Sequence, residues 1–581
     1  MISKIPNFDK NLDEILNNLK PYQKICQQCG KVFDIFKEDI KFYKMLRVSP
    51  PKLCSSCRRQ RRMGFYNNLL KFYLKQDALT GEKIVSTFPP ESSYKIYNLK
   101  HWWSDKWGGE DYGRDFNFLK PFFGQFQELN LIVPHPAITH YWKNVVDSPY
   151  TIAIIDSKNC YLTASGGDLE NVLFSYWVGG CKDSLELLDA AHCENCYELS
   201  NSNQCYNCHF CEDCSHCIDS FFLDSCNHCE NCFACTNLKN KSYYFFNQQF
   251  SKEEYKQKIK EINLGNRDIL EEYRKKFEEL LKKSIRRNLS TYNININCLG
   301  DRLWRAKNCY LVFRSCSNLE NVRYSVDVCS DIKECMDLWI AGPNVSLSYE
   351  TIEVIESNNV KFSFFIRNGL DLEYCLNCFN CQHCFACVSL RNKSYYIFNK
   401  QYPKKEYFQL LDKIKTKMLK NGEYGEFFPL SMSLHSYQDT YAMIEFPLSK
   451  EEVSKNGWQW QDEPKISLDL MGIELIEAKD VPKDIKDVAN DILNKAIVCK
   501  TTCKPFRIIK SELEFYREHN LPIPTKHPCQ RIFERLQTRN PLKLWRVICP
   551  KCLKEMFTSY PPKKQKELKI YCEECYYREI I

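Results

Sequence analysis

The sequence has no apolar run that approaches the roughly eighteen residues of a membrane span. Its first twenty residues lack the apolar core and cleavage site of a secretion signal, and Leu12, Leu16 and Leu19 follow the spacing of an amphipathic helix instead. Positive and negative charges nearly balance, with a formal net charge of +8 over 581 residues. These absences predict a cytoplasmic protein without a membrane partner, and the charge only weakly favours a nucleic-acid partner.

Catalytic motifs are also missing. The sequence contains no Gly-rich phosphate loop, nucleophile elbow or His-Glu metal motif, and its 11 histidines are scattered. A hydrophobic content of 44% with 14% aromatic residues excludes a disordered chain. We therefore expect a folded, multidomain protein that is not an enzyme.

Cysteine is the residue in excess, with 34 copies that often stand as C-x-x-C pairs. In a reducing compartment such pairs favour metal binding over disulfides. Two sets of pairs have the spacing of closed four-cysteine zinc sites: Cys26, Cys29, Cys54 and Cys57 near the N-terminus, and Cys549, Cys552, Cys572 and Cys575 near the C-terminus. A closed site leaves no position open for a substrate, so we predict two structural Zn2+ ions.

A third stretch repeats the order of the N-terminal set with altered ligands. Its candidate ligands are Cys499, Cys503, His527 and Cys529. The spacing leaves two interpretations open, a third zinc site or a metal-free relic of one.

Basic residues lie beside both four-cysteine sets. Arg58, Arg59, Arg61 and Arg62 follow the second N-terminal pair, at a predicted helix start where the dipole opposes positive charge. They need an anionic partner, and we predict the phosphate backbone of RNA or DNA. The alternative is that they offset the negative charge of the four-thiolate centre. Between the C-terminal pairs, Lys563, Lys564, Lys566 and Lys569 predict a phosphate surface or a solvated loop.

The middle of the chain repeats every twelve residues. Asn or Asp marks the interval at Asn159, Asn171, Asp183, Asn195, Asn207, Asp219 and Asn231, and four further positions per unit are small or apolar. Twelve residues are too few for a pair of helices, so the repeat predicts a β-solenoid. A second copy begins at 307–311, which matches 158–162, and ends at 392–396, which matches 240–244. We expect the helices after each copy to cover the coil ends.

Two hypotheses account for the cysteines of the repeats. They are small side chains that stack in a narrow core, which we favour because an unbroken three-residue series does not divide into groups of four ligands. Alternatively, they bind further soft metal ions. The candidate ligands are Cys205, Cys208, Cys211, Cys214, Cys226, Cys229, Cys232, Cys235, Cys375, Cys378, Cys381, Cys384 and Cys387.

Two resemblances accompany these patterns. The C-x-x-C-G pair at Cys26, the aromatic residues Phe33, Phe42 and Tyr43, and the C-x-x-C-R pair at Cys54 resemble the probable zinc-ribbon family, which implies a treble-clef module. Most of the chain, including residues 112–126, resembles an uncharacterised cysteine-rich family of small-genomed uncultivated bacteria, which implies no activity.

We therefore predict a mixed α+β multidomain protein, with four-cysteine zinc modules at both ends flanking a duplicated β-solenoid with helical caps. The expected divisions are 1–63 (helix and treble clef), 64–150 (aromatic-rich α/β segment), 151–250 (first solenoid), 251–297 (helical linker), 298–400 (second solenoid), 401–420 (helix), 421–495 (mixed α/β), 496–540 (degenerate treble clef) and 541–581 (zinc ribbon).

The leading functional hypothesis is a zinc protein that contacts RNA or DNA through its terminal modules and uses the solenoid as a rigid scaffold. A protein-interaction scaffold without nucleic acid is one alternative. Metal storage or sensing by the cysteine repeats is another.

Overall fold

The computed structural model describes residues 3–67, 69–138, 143–188, 209–212, 217–290, 295–316, 322–327, 335–337, 339, 342, 345–462 and 472–580. Within these ranges the protein is a mixed α/β structure. Its α-helices are α1 (Pro6–Asn17), α2 (Lys37–Leu46), α3 (Ser55–Met63), α4 (Leu99–Trp102), α5 (Phe122–Ile132), α6 (Lys252–Lys260), α7 (Arg267–Lys283), α8 (Lys404–Lys420), α9 (Ala442–Glu445), α10 (Lys450–Lys455), α11 (Lys510–Glu518), α12 (Pro528–Thr538), α13 (Pro562–Glu567) and α14 (Glu573–Ile580). Short 3-10 helices cover Gly109–Tyr112, Leu430–Met432, Tyr437–Asp439, Ile485–Asp487 and Asn490–Asn494.

The strands are short and numerous. Before residue 250 they are β1 (Tyr22–Ile25), β2 (Val32–Ile35), β3 (Tyr73–Gln76), β4 (Lys83–Ser86), β5 (Ile96–Tyr97), β6 (His135–Pro136), β7 (Lys143–Val146), β8 (Ile152–Lys158), β9 (Ala164–Gly167), β10 (Glu170–Leu173), β11 (Tyr176–Gly179), β12 (Lys182–Leu185), β13 (His209–Glu212), β14 (Phe221–Asp224), β15 (Glu230–Thr236), β16 (Ser242–Phe245) and β17 (Gln248–Gln249). After it come β18 (Ile285–Arg287), β19 (Leu299–Trp304), β20 (Tyr310–Cys316), β21 (Ser346–Tyr349), β22 (Ile352–Ile355), β23 (Asn358–Lys361), β24 (Phe364–Arg367), β25 (Leu370–Glu373), β26 (Gln382–Phe385), β27 (Ser394–Ile397), β28 (Lys400–Gln401), β29 (Glu474–Glu477), β30 (Lys495–Val498), β31 (Pro505–Phe506), β32 (Trp545–Ile548), β33 (Glu555–Thr558) and β34 (Lys569–Tyr571).

Parallel strands β7 to β12 form one sheet and β13 to β16 form another, and we call these two sheets together the first ladder. Each residue pairs with the residue twelve positions later, as in Ile152 with Ala164 and Glu170 with Lys182. Every third residue from Asn144 to Glu186 has a positive φ angle, so the chain bends after each short extended segment. Asn and Asp tolerate this left-handed conformation best among residues with a Cβ atom. This conformation suits the Asn and Asp column, although Leu162, Phe174 and Trp177 adopt it in the other columns.

Side-chain amides add a second set of bonds along this column. Asn159 donates to the Oδ1 of Asn171 at 3.0 Å, and Asn171 donates to the Oδ1 of Asp183 at 2.6 Å. In the second copy Asn359 donates to the Oδ1 of Asp371, and Asn368, Asn380 and Asn392 form a similar series in the neighbouring column. The repeated polar column therefore bonds successive units to one another.

The second ladder runs from β19 to β27 and changes register along its length. Tyr310 pairs with Arg323, Arg323 with Met336, and Met336 with Tyr349, at intervals of thirteen residues. From β21 onward the interval is twelve, as in Leu370 with Gln382. One extra residue per unit therefore explains why the twelve-residue pattern fades in the middle of this copy.

Both ladders end in the same way. An antiparallel hairpin closes each one, β16 with β17 and β27 with β28. In each hairpin an Asn side chain bonds both backbone groups of an earlier residue: Asn247 bonds Thr236, and Asn399 bonds Val388. These amides take the place of a further strand and satisfy polar groups that the ladder end would leave open.

Helices cover the flank of each final unit. A capping box of Ser251 and Glu254 starts α6, and the charged stretch after it forms two helices, α6 and α7, because Asn266 caps a new helix start. Helix α8 spans the predicted 404–420. Phe277 of α7 packs on Phe222 of the first ladder, so these helices bury aromatic side chains beside the ladder.

The largest core joins the second ladder to the aromatic-rich segment before residue 138. Phe122 of α5 contacts Tyr374 and Phe385 of the ladder, and Trp102 contacts Phe379. Most aromatic residues of the segment are therefore buried. Among the helices of the described ranges, none has the length and apolar composition needed to cross a bilayer.

Candidate metal centres and the arginine clusters beside them

The N-terminal site begins at a tight turn between β1 and β2. The N–H of Cys26 donates to the carbonyl of Lys31, and the N–H of Gly30 donates back to the carbonyl of Cys26. Gly30 has a φ of 70°, which glycine adopts at little cost. The C-terminal site repeats this turn, with bonds from Cys549 to Lys554 and from Leu553 to Cys549. In both modules the second cysteine pair lies at the start of a helix, α3 or α14.

In each module the four sulfur atoms lie within 4.8 Å of one another. The Sγ atoms of Cys29 and Cys54 are 3.9 Å apart, and those of Cys552 and Cys572 are 3.7 Å apart. A tetrahedral ion with metal–sulfur bonds of about 2.3 Å has sulfur–sulfur separations of about 3.8 Å. The four thiols of each module can therefore hold one tetrahedral metal ion.

Backbone donors prepare these sulfur atoms for a metal. The N–H of Cys54 lies 3.3 Å from the Sγ of Cys26, and the N–H of Cys572 lies 3.4 Å from the Sγ of Cys549. A hydrogen bond with Cys57 lowers the pKa of Cys54 to about 5. Burial opposes ionisation of Cys549, but backbone bonds with Cys572 and Cys552 outweigh it and bring its pKa to about 6. Each module thus holds one thiol that ionises readily, whereas the bond with Cys54 raises the pKa of Cys57 and burial raises that of Cys575 to about 12.

The third module, residues 496–540, aligns with the first without gaps when 473 is added to each residue number. Cys499 stands where Cys26 does, and the same pair of bonds closes its turn, from Cys499 to Lys504 and from Cys503 to Cys499. Cys503 therefore occupies the position of Gly30, with a φ of 55°. The position of the second ligand, Cys29, belongs to Thr502.

The second pair of ligands is also replaced. His527 stands at the position of Cys54 and Gln530 at that of Cys57, while Cys529 corresponds to Ser56. His527 accepts a hydrogen bond from the N–H of Cys529 and caps α12. The thiol of Cys529 lies 3.6 Å from the carbonyl of Leu70. Cys503 and Cys529 thus lie beside the ligand positions rather than in them, and the described residues show no third group of four ligands.

Arg58, Arg61 and Arg62 do not face solvent. They are 2%, 7% and 1% exposed, and Arg59 is half-buried. Arg59 lies over the rings of Phe313 and Phe446, at 5.9 and 5.6 Å. The guanidinium groups that we expected to meet nucleic acid are therefore enclosed by the protein, which corrects that interpretation.

Their anionic partners are carboxylates of this chain. Arg58 donates from Nε to Asp337 at 2.6 Å, and Arg61 bonds Glu350 at 2.8 Å and Glu426 at 2.9 Å. Arg62 lies 3.4 Å from Asp337 and 3.7 Å from Glu350. Asp337 and Glu350 are fully buried residues of the second ladder, so α3 is fastened to that ladder by a buried ionic cluster.

The third module is fastened to the first ladder by equivalent residues. Arg531 and Arg535, which correspond to Arg58 and Arg62, both bond the carboxylate of Glu186. Glu186 and Asp337 occupy equivalent positions in their ladders. Strand pairing leads in two steps from Tyr161 to Leu185 and, in the second copy, from the matching Tyr310 to Met336. Glu186 directly follows Leu185, and Asp337 directly follows Met336.

Further contacts repeat between the two interfaces. Arg58 lies 5.7 Å from the ring of Tyr324, and Arg531 lies 4.7 Å from the ring of Phe174, the residue at the equivalent ladder position. The docking is crosswise: the module before the first ladder binds the second ladder, and the module after the second ladder binds the first.

The described cysteines of the ladders face the ladder interior. The thiol of Cys378 lies 3.4 Å from the carbonyl of Leu376 and 3.6 Å from that of Cys387. The thiol of Cys375 lies 3.5 Å from the carbonyl of Glu373, and Ser363, twelve residues earlier in the same column, donates to the equivalent carbonyl of Lys361 at 2.7 Å. Cysteine and serine therefore serve as alternatives at these positions, as small buried donors.

Their protonation fits this role. Burial raises the pKa of Cys375, Cys378, Cys384 and Cys387 well above the ordinary range, whereas hydrogen bonds lower that of Cys381. Among the described residues, the two terminal sets are the groups close enough to share a metal ion, and the candidates Cys226, Cys229, Cys232, Cys235, Cys375, Cys378, Cys381, Cys384 and Cys387 form no such group. Cys205, Cys208 and Cys214 lie outside the described residues, and only the backbone of Cys211 is described.

No family model matches this sequence, and no curated protein is similar to it.

The residues that sequence reasoning missed are the buried acids of the ladders, Glu186, Asp337 and Glu350. They occur as isolated acidic residues in a repeat already rich in Asn, Asp and Glu, so they carried no distinguishing signal. The match between segments 26–62 and 499–535, which align without gaps at an offset of 473 residues, was visible in the sequence. In that alignment Arg58 corresponds to Arg531 and Arg62 to Arg535.

Proposed function

We propose that this protein is a non-enzymatic interaction scaffold in which two zinc modules and two β-solenoids form one rigid body. The observation that supports this proposal best is the pair of equivalent interfaces in which module arginines bond buried ladder carboxylates. Side chains committed to such ion pairs hold the architecture together and are withdrawn from external ligands. A rigid body of this kind offers surfaces rather than a reaction centre.

The metal in both terminal sites is proposed to be zinc. Four cysteines in a closed tetrahedral arrangement are typical of structural zinc. Such an ion joins a hairpin to a helix in each module and keeps α3 and α14 in place. Elemental analysis of the chain purified under reducing conditions should give two zinc ions per chain. A value of six or more would support metal storage by the ladders instead.

Partner capture after nuclease treatment tests the scaffold function. A scaffold retains its protein partners when RNA and DNA are digested, and cross-linking should map those partners onto the modules or the ladders. Binding of mixed RNA or duplex DNA by the full chain is measured in parallel at low and high salt. Loss of every partner with nuclease, together with salt-dependent nucleic-acid binding, would contradict the proposal.

Nucleic-acid binding remains a second candidate through the C-terminal module alone. Lys563, Lys566 and Lys569 of this module are exposed, whereas Lys564 is half-buried and donates to the carbonyl of Thr538. Exposed lysines suit phosphate contacts. This candidate predicts that a variant with Lys563, Lys566 and Lys569 changed to Gln loses salt-dependent binding, while Arg58→Gln affects stability first.

A further inference from the structure

The three modules share one hairpin, and within the described residues the outer strand is covered in one of them. In the third module, β29 pairs in parallel with β30, joining Glu474 to Lys495 and Glu477 to Val498. Strand β30 is the direct counterpart of β1 in the first module and of β32 in the C-terminal module. Within the described residues, β1 pairs only with β2, and β32 pairs only with β33.

The uncovered strands present backbone groups that can form a further sheet ladder. Because Cys26 bonds across the hairpin to Lys31, the alternation of an antiparallel pair directs Gln23 and Ile25 to the opposite edge. Their counterparts in β30 lie on the edge that β29 covers. The edges of β1 and β32 are thus the places where this fold accepts another strand.

Apolar side chains accompany these edges. Ile25 is 66% exposed and its cross-strand neighbour Val32 is 59% exposed, while Ile548, at the position of Ile25 in the C-terminal module, is 62% exposed. In the covered hairpin, the counterpart of Ile25 is Val498, which is half-buried. Edge strands with exposed apolar residues form intermolecular sheets readily unless something protects them.

We propose that the open edges of β1 and β32 are docking sites for an extended, apolar-rich segment of a partner protein, which adds as a parallel strand. Main-chain bonds supply the attachment, and the apolar side chains of the segment cover Ile25 or Ile548. The internal strand β29, with the sequence Glu-Leu-Ile-Glu, shows the kind of segment that this hairpin accepts. This inference rests on the proposed scaffold function and names the contact that a partner makes.

The test uses a labelled peptide that copies residues 472–480, which contain β29, with the full zinc-loaded chain. We expect saturable binding and slower hydrogen exchange in peptide fragments that cover 20–26 and 543–549. Gln23→Pro removes an outward N–H from β1, and with Arg546→Pro in β32 it should weaken binding at least about tenfold. The matched controls Gln23→Ala and Arg546→Ala keep the N–H groups and should bind normally.

Zinc content verifies that each variant is folded, since both modules must still hold their ions. Absence of peptide binding at millimolar concentration would overturn the inference, as would protection confined to 495–498, which indicates exchange with β29. Dimerisation without peptide, abolished by Gln23→Pro, would show instead that a second copy of the chain occupies the edge. Nuclease-resistant partner capture that is unaffected by both Pro variants would refute the docking edge and leave the scaffold function intact.

Discussion

Replacing Asp337 by Asn provides the sharpest test of how the N-terminal module is held in place. The carboxylate is fully buried and faces two guanidinium groups, at 2.6 Å from Arg58 and 3.4 Å from Arg62. Asparagine keeps the shape and tolerates the φ of 60° at this position, but leaves one buried positive charge without its counterion. Removing one partner of a buried ion pair costs about 3–5 kcal/mol.

The consequence should appear first in α3, which carries Cys57 and all four arginines. A loss of 3 kcal/mol raises the population of the undocked module about a hundredfold, since 1.4 kcal/mol corresponds to a factor of ten. Zinc transfer from the full chain to a coloured chelator measures this opening. We expect a transfer rate about a hundredfold higher from the N-terminal site of Asp337→Asn and an unchanged rate from the C-terminal site.

Two comparisons make this result interpretable. Asp34→Asn removes an exposed carboxylate of the same module and should leave the rate unchanged. Arg58→Met combined with Asp337→Asn should recover part of the loss, because the remaining cluster is again neutral. Equal transfer rates for Asp337→Asn and the unmodified chain would refute the idea that this cluster fastens the module to the ladder.

Three further outcomes follow from the contacts described. Thr502→Cys with Gln530→Cys restores the missing ligand positions and should raise zinc from two to three ions per chain; an unchanged count would contradict the proposed equivalence of the modules. Cys378→Ser keeps a small donor in the ladder and should change neither the zinc count nor, by more than about 1 kcal/mol, the stability; a lost ion would favour metal storage. Burial lowers the pKa of His135 to about 4. Because the unfolded chain binds this proton already near pH 6.5, the free energy of unfolding should fall by roughly 3 kcal/mol between pH 6.5 and 4. This pH dependence of the free energy of unfolding should diminish in His135→Gln. If denaturation curves of these two proteins show the same pH dependence, another group is responsible.

The four-cysteine sets could be predicted from sequence because a tetrahedral metal ion imposes a local spacing on its ligands. Two ligands three residues apart in a tight turn must point the same way, so each C-x-x-C pair encodes half of a site without reference to the rest of the fold. The degenerate module shows the limit of that rule. Cys503 and Cys529 look like ligands by type, but backbone bonds in the turn assign the ligand positions to Thr502 and Gln530.

The ladder also has a local origin. A left-handed residue at every third position is a backbone requirement, and it selects Asn and Asp in a regular column that can be counted along the sequence. The interval of thirteen residues in the second copy could not be counted in this way, because one added residue per unit shifts every column.

The arginines were interpreted incorrectly because their partners are remote in sequence. A cluster of arginines beside a C-x-x-C pair predicts an anion nearby, and the buried carboxylates confirm that part of the prediction. Whether the anion is a phosphate or a carboxylate depends on which surface the helix meets, and Asp337 lies 279 residues from Arg58.

Sequence alone therefore determined the chemistry of short segments: where four cysteines can hold a metal ion, where the chain bends, and which residues need opposite charge. Tertiary structure alone decided which segments meet. The crosswise docking of each module on the more distant ladder follows from buried ion pairs and aromatic contacts between surfaces, and such contacts leave no periodicity in the chain. That docking withdrew the arginines from solvent, and among the described residues no third strand pairs with β1 or β32.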